Sequence, residues 1–270
     1  MEIPFWKMHG AGNDFVLVDD RQAEFPSHDR EWMAGVSQRR TGVGCEGIIL
    51  IQPSRTSDFR MRFFNPDGGE VEMCGNGARC VARLAHEIGA APASMTIETV
   101  AGQLTAEITG ERVRLTMTPP KDWRLNRTLA MPEGLLAYGF VNSGVPHAVV
   151  RVENLDAVNV AAIGAVIRRH ADFAPAGTNA NFIAVSDAHN LRIRTYERGV
   201  EAETLACGTG MVAAALVAGR MGWVHSPVTL NCASGDQLEV TYSLRGETPE
   251  QITLLGPAEH VFKGVLTYPD

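Results

Sequence analysis

The sequence predicts an α+β fold of two pseudo-symmetric lobes, each a mostly antiparallel sheet wrapped around a central helix. Three observations carry that expectation. Segments of the first half recur in the second at an offset of 132 to 133 residues. Short β-rich runs punctuated by turn residues fill most of the chain, with the brief connections of antiparallel pairing. Two Ala-rich stretches, one per half, are apolar nearly all round and therefore belong inside.

The copies extend along the whole chain. Glu70-Val-Glu-Met-Cys74-Gly75-Asn76-Gly77 is echoed by Glu203-Thr-Leu-Ala-Cys207-Gly208-Thr209-Gly210. Each is followed by an Ala-rich run that closes on a glycine, Gly89 or Gly222, 15 residues past its cysteine. Gly12-Asn13-Asp14-Phe15 lies 62 residues before Cys74, and Gly144-Val145-Pro146-His147 lies 63 before Cys207. Gly44-Cys-Glu-Gly47 and Gly177-Thr-Asn179-Ala each begin 30 residues before their cysteine, and Arg60-Met-Arg-Phe-Phe-Asn65 is echoed by Arg192-Ile-Arg-Thr-Tyr-Glu197. A register held this long implies a duplicated unit. Residues 1–120 form a first lobe carrying Cys74 and 121–257 a second carrying Cys207. The final strand, 258–270, could complete the first lobe; periodicity leaves that open.

Taken in order, Phe15 to Val18 reads as a buried strand after a Gly-rich turn. Asp29 to Gln38 reads as a short helix with Asp29 as its cap. Strands follow at Gly47 to Ile51, Phe59 to Phe64, Met95 to Thr99, Gln103 to Ile108 and Arg112 to Met117. Pro119-Pro120-Lys-Asp is the linker candidate. In the second half, strands are expected at 136–141, 148–152, 182–185, 191–196, 228–231, 237–242, 251–255 and 260–266, with a helix over 157–169. Helix start and stop signals place each of the two central helices directly after its cysteine, with Gly89 and Gly222 beyond their C-termini.

Composition bounds the function. The chain has 270 residues, is 45% hydrophobic and 20% charged, and carries a net charge of −7. These are globular values, and the acidic balance argues against nucleic acid or an anionic membrane as partner. No apolar run approaches the ~18 residues a membrane span needs. Met-Glu-Ile-Pro-Phe-Trp lacks the regions of a signal peptide, so a cytoplasmic protein with its five cysteines reduced is expected. Cys45, Cys80 and Cys232 read as packing residues. Cys74-x5-Cys80 is a poor zinc spacing with no second ligand pair, and no metal is expected. Gly10-Ala-Gly12 lacks the lysine of a phosphate loop. Only three lysines, Lys7, Lys121 and Lys263, are candidates for a Schiff base.

Cys74 and Cys207 differ from the other cysteines by their position. At a helix N-terminus, backbone N–H groups and the positive dipole end favour thiolate over thiol and also suit a carboxylate. Two lobes facing across a cleft would aim two sulfurs at one ligand, where one is anionic and the other protonated because close like charges resist joint ionisation. A base on one face of a carbon and an acid on the other can invert a stereocentre. A thiol-redox or metal-binding protein is the rival reading.

The long stretches Phe64-Asn-Pro-Asp-Gly-Gly-Glu-Val-Glu-Met-Cys74-Gly-Asn-Gly-Ala-Arg-Cys80 and Tyr196-Glu-Arg-Gly-Val-Glu-Ala-Glu-Thr-Leu-Ala-Cys207-Gly-Thr-Gly, with Phe5-Trp-Lys-Met-His-Gly-Ala-Gly-Asn-Asp-Phe15 and Gly144-Val-Pro-His147, resemble the diaminopimelate epimerase family. The resemblance implies a cytoplasmic homodimer that needs no cofactor and converts LL-2,6-diaminopimelate to the meso form, for lysine and peptidoglycan precursors. It implies that Cys74 and Cys207 are the acid–base pair, and that Gly75, Asn76, Gly208 and Thr209 cradle a carboxylate. It further implies that Asn13, Gly47, Asn65, Asn179, Glu197 and Arg198 bind substrate, and that His147 and Glu197 support the thiols. Three features depart from the family pattern: Val145 and Gly47 replace polar residues, and the Glu197-to-Cys207 spacing is one residue longer. Within the same fold, a proline or hydroxyproline racemase is the alternative, but such a substrate has no second amino-acid end for Arg198.

Overall fold

The computed structural model describes residues 1–132 and 134–269. Asp270, the last residue of the expected strand 258–270, lies outside them. The chain divides into two compact units: Met1–Leu115 with Gly256–Asp270, and Thr116–Leu255.

In the first unit, β1 (Glu2–Gly10) and β2 (Asn13–Asp19) form an antiparallel hairpin. Its turn places Gly12 at φ 89°, in the region that glycine enters without steric cost. Helix α1 (Arg30–Ser37) starts at Asp29, whose side chain accepts from the Trp32 N–H. Strand β3 (Ile48–Gln52) lies parallel to β2, and β4 (Phe59–Phe64) pairs antiparallel with β3. The short β5 (Glu70–Val71) leads into α2 (Gly75–Glu87). Strand β6 (Ser94–Thr99) then lies parallel to β4, followed by the meander β7 (Gly102–Thr109) and β8 (Arg112–Thr116).

The second unit opens with β9 (Lys121–Met131), antiparallel to β10 (Gly134–Asn142), which pairs with β11 (Pro146–Arg151). Helix α3 (Val160–Arg168) is capped by the Asn159 side chain. Strand β12 (Asn179–Asp187) runs parallel to β11 and antiparallel to β13 (Asn190–Glu197). Next come β14 (Ala202–Thr204), α4 (Gly208–Arg220), β15 (Val228–Asn231), β16 (Gln237–Arg245) and β17 (Thr248–Pro257). The last strand, β18 (Glu259–Thr267), returns to the first unit and pairs antiparallel with β1.

The pairing pattern repeats element for element. Parallel β2/β3 and β4/β6 correspond to parallel β11/β12 and β13/β15, with antiparallel partners in the same order. The duplication is thus a property of the fold as well as of the sequence. The register corrects one detail. Ala148↔Ala180 and Asn181↔Thr195 match Val16↔Ile48 and Ile49↔Phe63 at an offset of 132, so Gly47 corresponds to Asn179 and Ile49 to Asn181. The extra residue falls in the turn between β13 and β14, which is why segments aligned by counting back from the cysteines slip by one.

Helix α4 is buried because its sequence leaves no polar face. In α4, Gly208 and every residue from Gly210 to Ala218 are buried. Each fully buried Val or Leu contributes about 1.5–3 kcal/mol, and the alanines between them let the strands approach closely. Helix α2 is less uniform. Arg79 is completely buried, and its Nε donates to the Pro257 carbonyl at 3.1 Å, while Arg83 Nη1 donates to Ala258 O at 2.6 Å. These bonds tie the helix to the returning segment. Elsewhere in the first unit, Phe5, Val16, Leu50, Phe64 and Leu266 pack with Met33 and Val36 of α1. In the second, Phe140, Val150, Ile167, Phe173, Phe182 and Tyr196 pack together.

Two long strands were not anticipated. β9 follows Pro119-Pro120, which reads as a linker, yet Trp123, Leu125, Leu129 and Met131 turn inward with the period of a strand. β1 was hidden behind the Gly-rich turn that closes it. Among the described residues, no helix is long and apolar enough to cross a membrane.

Candidate active site

Cys74 is the N-cap of α2 and Cys207 the N-cap of α4, both with extended backbones. The first helical hydrogen bonds run from Ala78 N–H to Cys74 O (2.8 Å) and from Met211 N–H to Cys207 O (2.9 Å). The amides of residues 75–77 and 208–210 therefore stand before the helical ladder, as donors at the positive end of each dipole. Cys74 is half-buried, whereas Cys207 is 7% exposed.

The two Gly-x-Gly motifs meet a steric demand. A Cβ on Gly77 would lie 2.7 Å from Ile49 Cδ1, and one on Gly210 would lie 2.5 Å from Asn181 Oδ1 and 3.3 Å from Cys207 Sγ. The first glycine of the earlier motif is different: a Cβ on Gly75 would meet nothing within 4 Å.

In the first unit, Asn76 Nδ2 donates to Asn13 Oδ1 at 3.0 Å, and Asn13 Nδ2 donates to Glu46. Asn13 is thus held at both ends. Burial, with Asp14 nearby, pushes Glu46 above the usual carboxylate range although Asn13 donates to it. Burial also pushes Asp14 upward, but the hydrogen bonds and charges of Arg39 and Lys7 outweigh it and hold that carboxyl low. Asn65 ends β4 in a turn where its N–H donates to Gly69 O at 2.9 Å. Gly47 is packed into the sheet. Its carbonyl accepts from the Val16 N–H, and a Cβ there would strike the Phe63 ring at 2.3 Å. The space a longer side chain would fill at position 47 is taken by Phe63.

In the second unit, the Asn179 carboxamide donates to Pro146 O (3.1 Å) and accepts from the Arg198 N–H (2.7 Å). It fixes the backbone that carries Arg198, whose Nη1 reaches Ala176 O at 3.1 Å. Glu197 accepts from Thr204 Oγ1 at 2.9 Å. His147 is fully buried between Asn181 and Thr209, with Nδ1 3.1 Å from Asn181 Nδ2 and Nε2 2.9 Å from Thr209 Oγ1. Thr209 Oγ1 lies 3.7 Å from Cys207 Sγ. Ser143 Oγ donates to Thr209 O at 2.8 Å. Burial, then the positive charge of Arg198, push His147 down to about 3, so its ring is neutral.

The other thiols have different surroundings. Burial pushes Cys80 up to about 12. Cys232 is raised for the same reason and sits against Ser234 Oγ and Asp236 O. Among the described residues, no three His, Cys, Asp or Glu side chains cluster as a metal site would require.

Glu46, Asn181, Thr195 and Ser143 were missed by the sequence reading. A signal existed for one of them. Asn179 and Asn181 share one face of β12, and asparagine is disfavoured inside a strand unless its amide is used.

A family model described as diaminopimelate epimerase matches residues 5–123 and 139–261. Over 277 residues the chain is 42% identical to a protein named diaminopimelate epimerase from Aquifex aeolicus, covering 97% of each. It is 45% identical over 264 residues to one from Chlorobaculum tepidum, covering 96% of this chain and 100% of that one. A Bacillus anthracis phenazine biosynthesis protein of the PhzF family has a similar fold, with a TM-score of 0.73 at 20% identity over 99% of this chain and 100% of its own. A probable proline racemase from Agrobacterium radiobacter has it too, with a TM-score of 0.69 at 20% identity, over 99% and 93%.

Proposed function

The chain belongs to the diaminopimelate epimerase family, and on that premise we propose that Cys74 and Cys207 carry out its reaction as an acid–base pair. The reaction is the epimerisation of LL-2,6-diaminopimelate to the meso form, a step toward lysine and peptidoglycan precursors. The enzyme is an isomerase that works without pyridoxal phosphate or another cofactor. The observation that carries the reading is the shared position of the two sulfurs, each capping a buried helix at the same point of a duplicated unit.

Inversion at an amino-acid Cα needs a base on one face and an acid on the other. One cysteine, as thiolate, takes the Cα proton and becomes a thiol. The other, as thiol, gives its proton to the opposite face and becomes the thiolate. Electrons left on Cα spread into the adjacent carboxylate, whose growing charge is met by the N–H groups of Gly75, Asn76, Gly208 and Thr209. Donors aimed at developing charge in a water-poor site stabilise a transition state by several kcal/mol. The residue symmetry matches the reaction, because exchanging the protonation states of the thiols runs it backwards.

The distal end of the substrate carries a second ammonium and carboxylate. Arg198 suits the carboxylate and Glu197 the ammonium, with Asn13, Asn65 and Asn179 as supporting amides. Asn179 acts by fixing the Arg198 backbone, and Gly47 offers backbone alone. A cyclic substrate such as proline has no such end, so the racemase alternative is not favoured.

We also place the enzyme in the cytoplasm as a homodimer. β18 presents Val261, Phe262 and Val265 at the surface, each about half exposed, as an apolar strip suited to a second copy. Sedimentation of the wild type against a Val261→Lys, Val265→Lys variant tests this, and an unchanged monomeric mass for both would refute it.

The decisive experiment incubates LL-diaminopimelate with the protein in heavy water, with reductant and chelator present. One deuterium per new meso centre is expected, with full activity retained. Cys74→Ala and Cys207→Ala should each abolish turnover. Near wild-type turnover in either variant overturns the two-thiol mechanism.

A further inference from the structure

Asn181 lies on β12, fully buried, and its carboxamide has only one possible orientation. Thr195 Oγ1 is 3.0 Å from Oδ1, and Nδ2 is 2.9 Å from the Ala148 carbonyl oxygen. A carbonyl only accepts, so the atom facing it is the NH2 group. The second N–H of that group faces His147 Nδ1 at 3.1 Å. Nδ1 is therefore the unprotonated nitrogen, and the neutral ring carries its proton on Nε2. That proton is donated to Thr209 Oγ1 at 2.9 Å. With one of its two lone pairs so occupied, the Thr209 hydroxyl has its own proton to direct elsewhere, and Cys207 Sγ is 3.7 Å away.

We infer that Asn181 is a positioning residue for the reaction: it locks His147 in the Nε2–H tautomer and thereby makes the Thr209 hydroxyl a donor to the Cys207 sulfur, favouring thiolate there. This deepens the assignment of Cys207 as an acid–base thiol and rests on it. His147 takes no proton in this scheme. A second ring proton would face the Asn181 N–H, donor against donor, and the positive charge of Arg198 opposes it as well. Glu197, at the end of β13, is turned to Thr204 Oγ1.

The first unit is built from different side chains at these places. At the positions corresponding to His147, Asn181 and Thr195 stand Phe15, Ile49 and Phe63. There Phe15 and Phe63 meet edge to face with ring centroids 6.0 Å apart. The counterpart of Thr209 is Asn76, which donates to Asn13 instead. The duplicated halves therefore differ at these positions, polar in the unit that carries Cys207 and apolar in the unit that carries Cys74. A shared role as helix cap does not make the two thiols equivalent.

The test is the pH dependence of iodoacetamide alkylation, read separately on the Cys74 and Cys207 peptides by mass spectrometry. In Asn181→Leu and in Thr209→Val, the Cys207 midpoint should rise by about one pH unit, the effect of losing one hydrogen bond to a charged acceptor. The Cys74 midpoint should stay in place, and Thr209→Ser should restore Cys207. A Cys207 midpoint unmoved in both variants overturns the inference, as does an equal shift at both thiols. Nitrogen-15 spectra of wild-type His147 give an independent reading, and a proton on Nδ1 would also overturn it. If the Cys207 shift appears while Cys207→Ala still epimerises, the donor chain stands and the catalytic assignment falls.

Discussion

Arg194 grips Glu203 through two parallel hydrogen bonds of 2.7 and 2.8 Å, joining β13 to β14 just ahead of the Cys207 helix. Arg62 and Glu70 make the same two-point contact at the corresponding place before Cys74, at 2.8 and 2.7 Å. The duplication has preserved a device that fixes the approach to each cysteine. Each arginine has further partners: Arg62 Nη1 donates to Ser27 Oγ at 3.1 Å, and Arg194 Nη1 donates to the carbonyls of Leu155 and Val158, both at 3.0 Å, ahead of α3. Arg194→Met should therefore cost about 2 kcal/mol of unfolding free energy, since it leaves the partly buried Glu203 carboxylate without its donor, while the carbonyls of Leu155 and Val158 keep their backbone N–H partners. Urea denaturation measures it. Arg192→Met, which loses only the exposed partner Asp156, should leave the midpoint where it was.

Gly75→Ala and Gly210→Ala should separate cleanly. The new methyl at 75 enters open space, so folding should be unaffected. At 210 it meets Asn181 Oδ1, which cannot swing away because its carboxamide is held on both sides. A loss of about 1–3 kcal/mol is expected there, with a matching fall in epimerase activity. Equal melting temperatures for the two variants would contradict this.

His147 makes stability depend on pH. Its folded value lies below the ordinary 6.5, so the unfolded chain takes up a proton that the native chain refuses. Stability is unaffected by this group above about 6.5 and declines as pH falls from there toward about 3, by about 1.4 kcal/mol per pH unit. His147→Gln should flatten that part of the profile. Parallel urea titrations of both proteins from neutral to mildly acidic pH give the difference directly; identical slopes would contradict the expectation.

Cys80 should behave as a core side chain. Its thiol is held near 12 by burial and should escape alkylation under native conditions, while Cys74 is labelled. Cys80→Ala should retain epimerisation and lose about 1 kcal/mol from the vacated space. Loss of turnover without loss of folding would contradict this placement.

Much of this architecture was legible in the chain. The recurrence of Glu-x-x-x-Cys-Gly-x-Gly located both helix starts because capping is a local matter, decided within a few residues. The buried strands showed themselves through runs such as Ile48 to Ile51. What escaped was set by tertiary placement. Lys121 to Met131 alternates in polarity, but the prolines before it carried the opposite signal. The Asn181 side chain earns no notice in sequence, because its partners His147 and Ala148 come from β11, whose parallel pairing with β12 is made across the α3 crossover. The slip of one residue in the repeat had the same origin, since only the ladders show that the inserted residue lies between β13 and β14.

The return of β18 to β1 fixes an order of events during synthesis. The first unit lacks an edge strand until residues beyond Gly256 have left the ribosome, whereas Thr116–Leu255 by then is already complete. Translation therefore finishes the later-encoded unit first and leaves β1 with an unsatisfied edge for most of the chain's emergence. A nascent polypeptide stalled before β18 should be the form most dependent on chaperones.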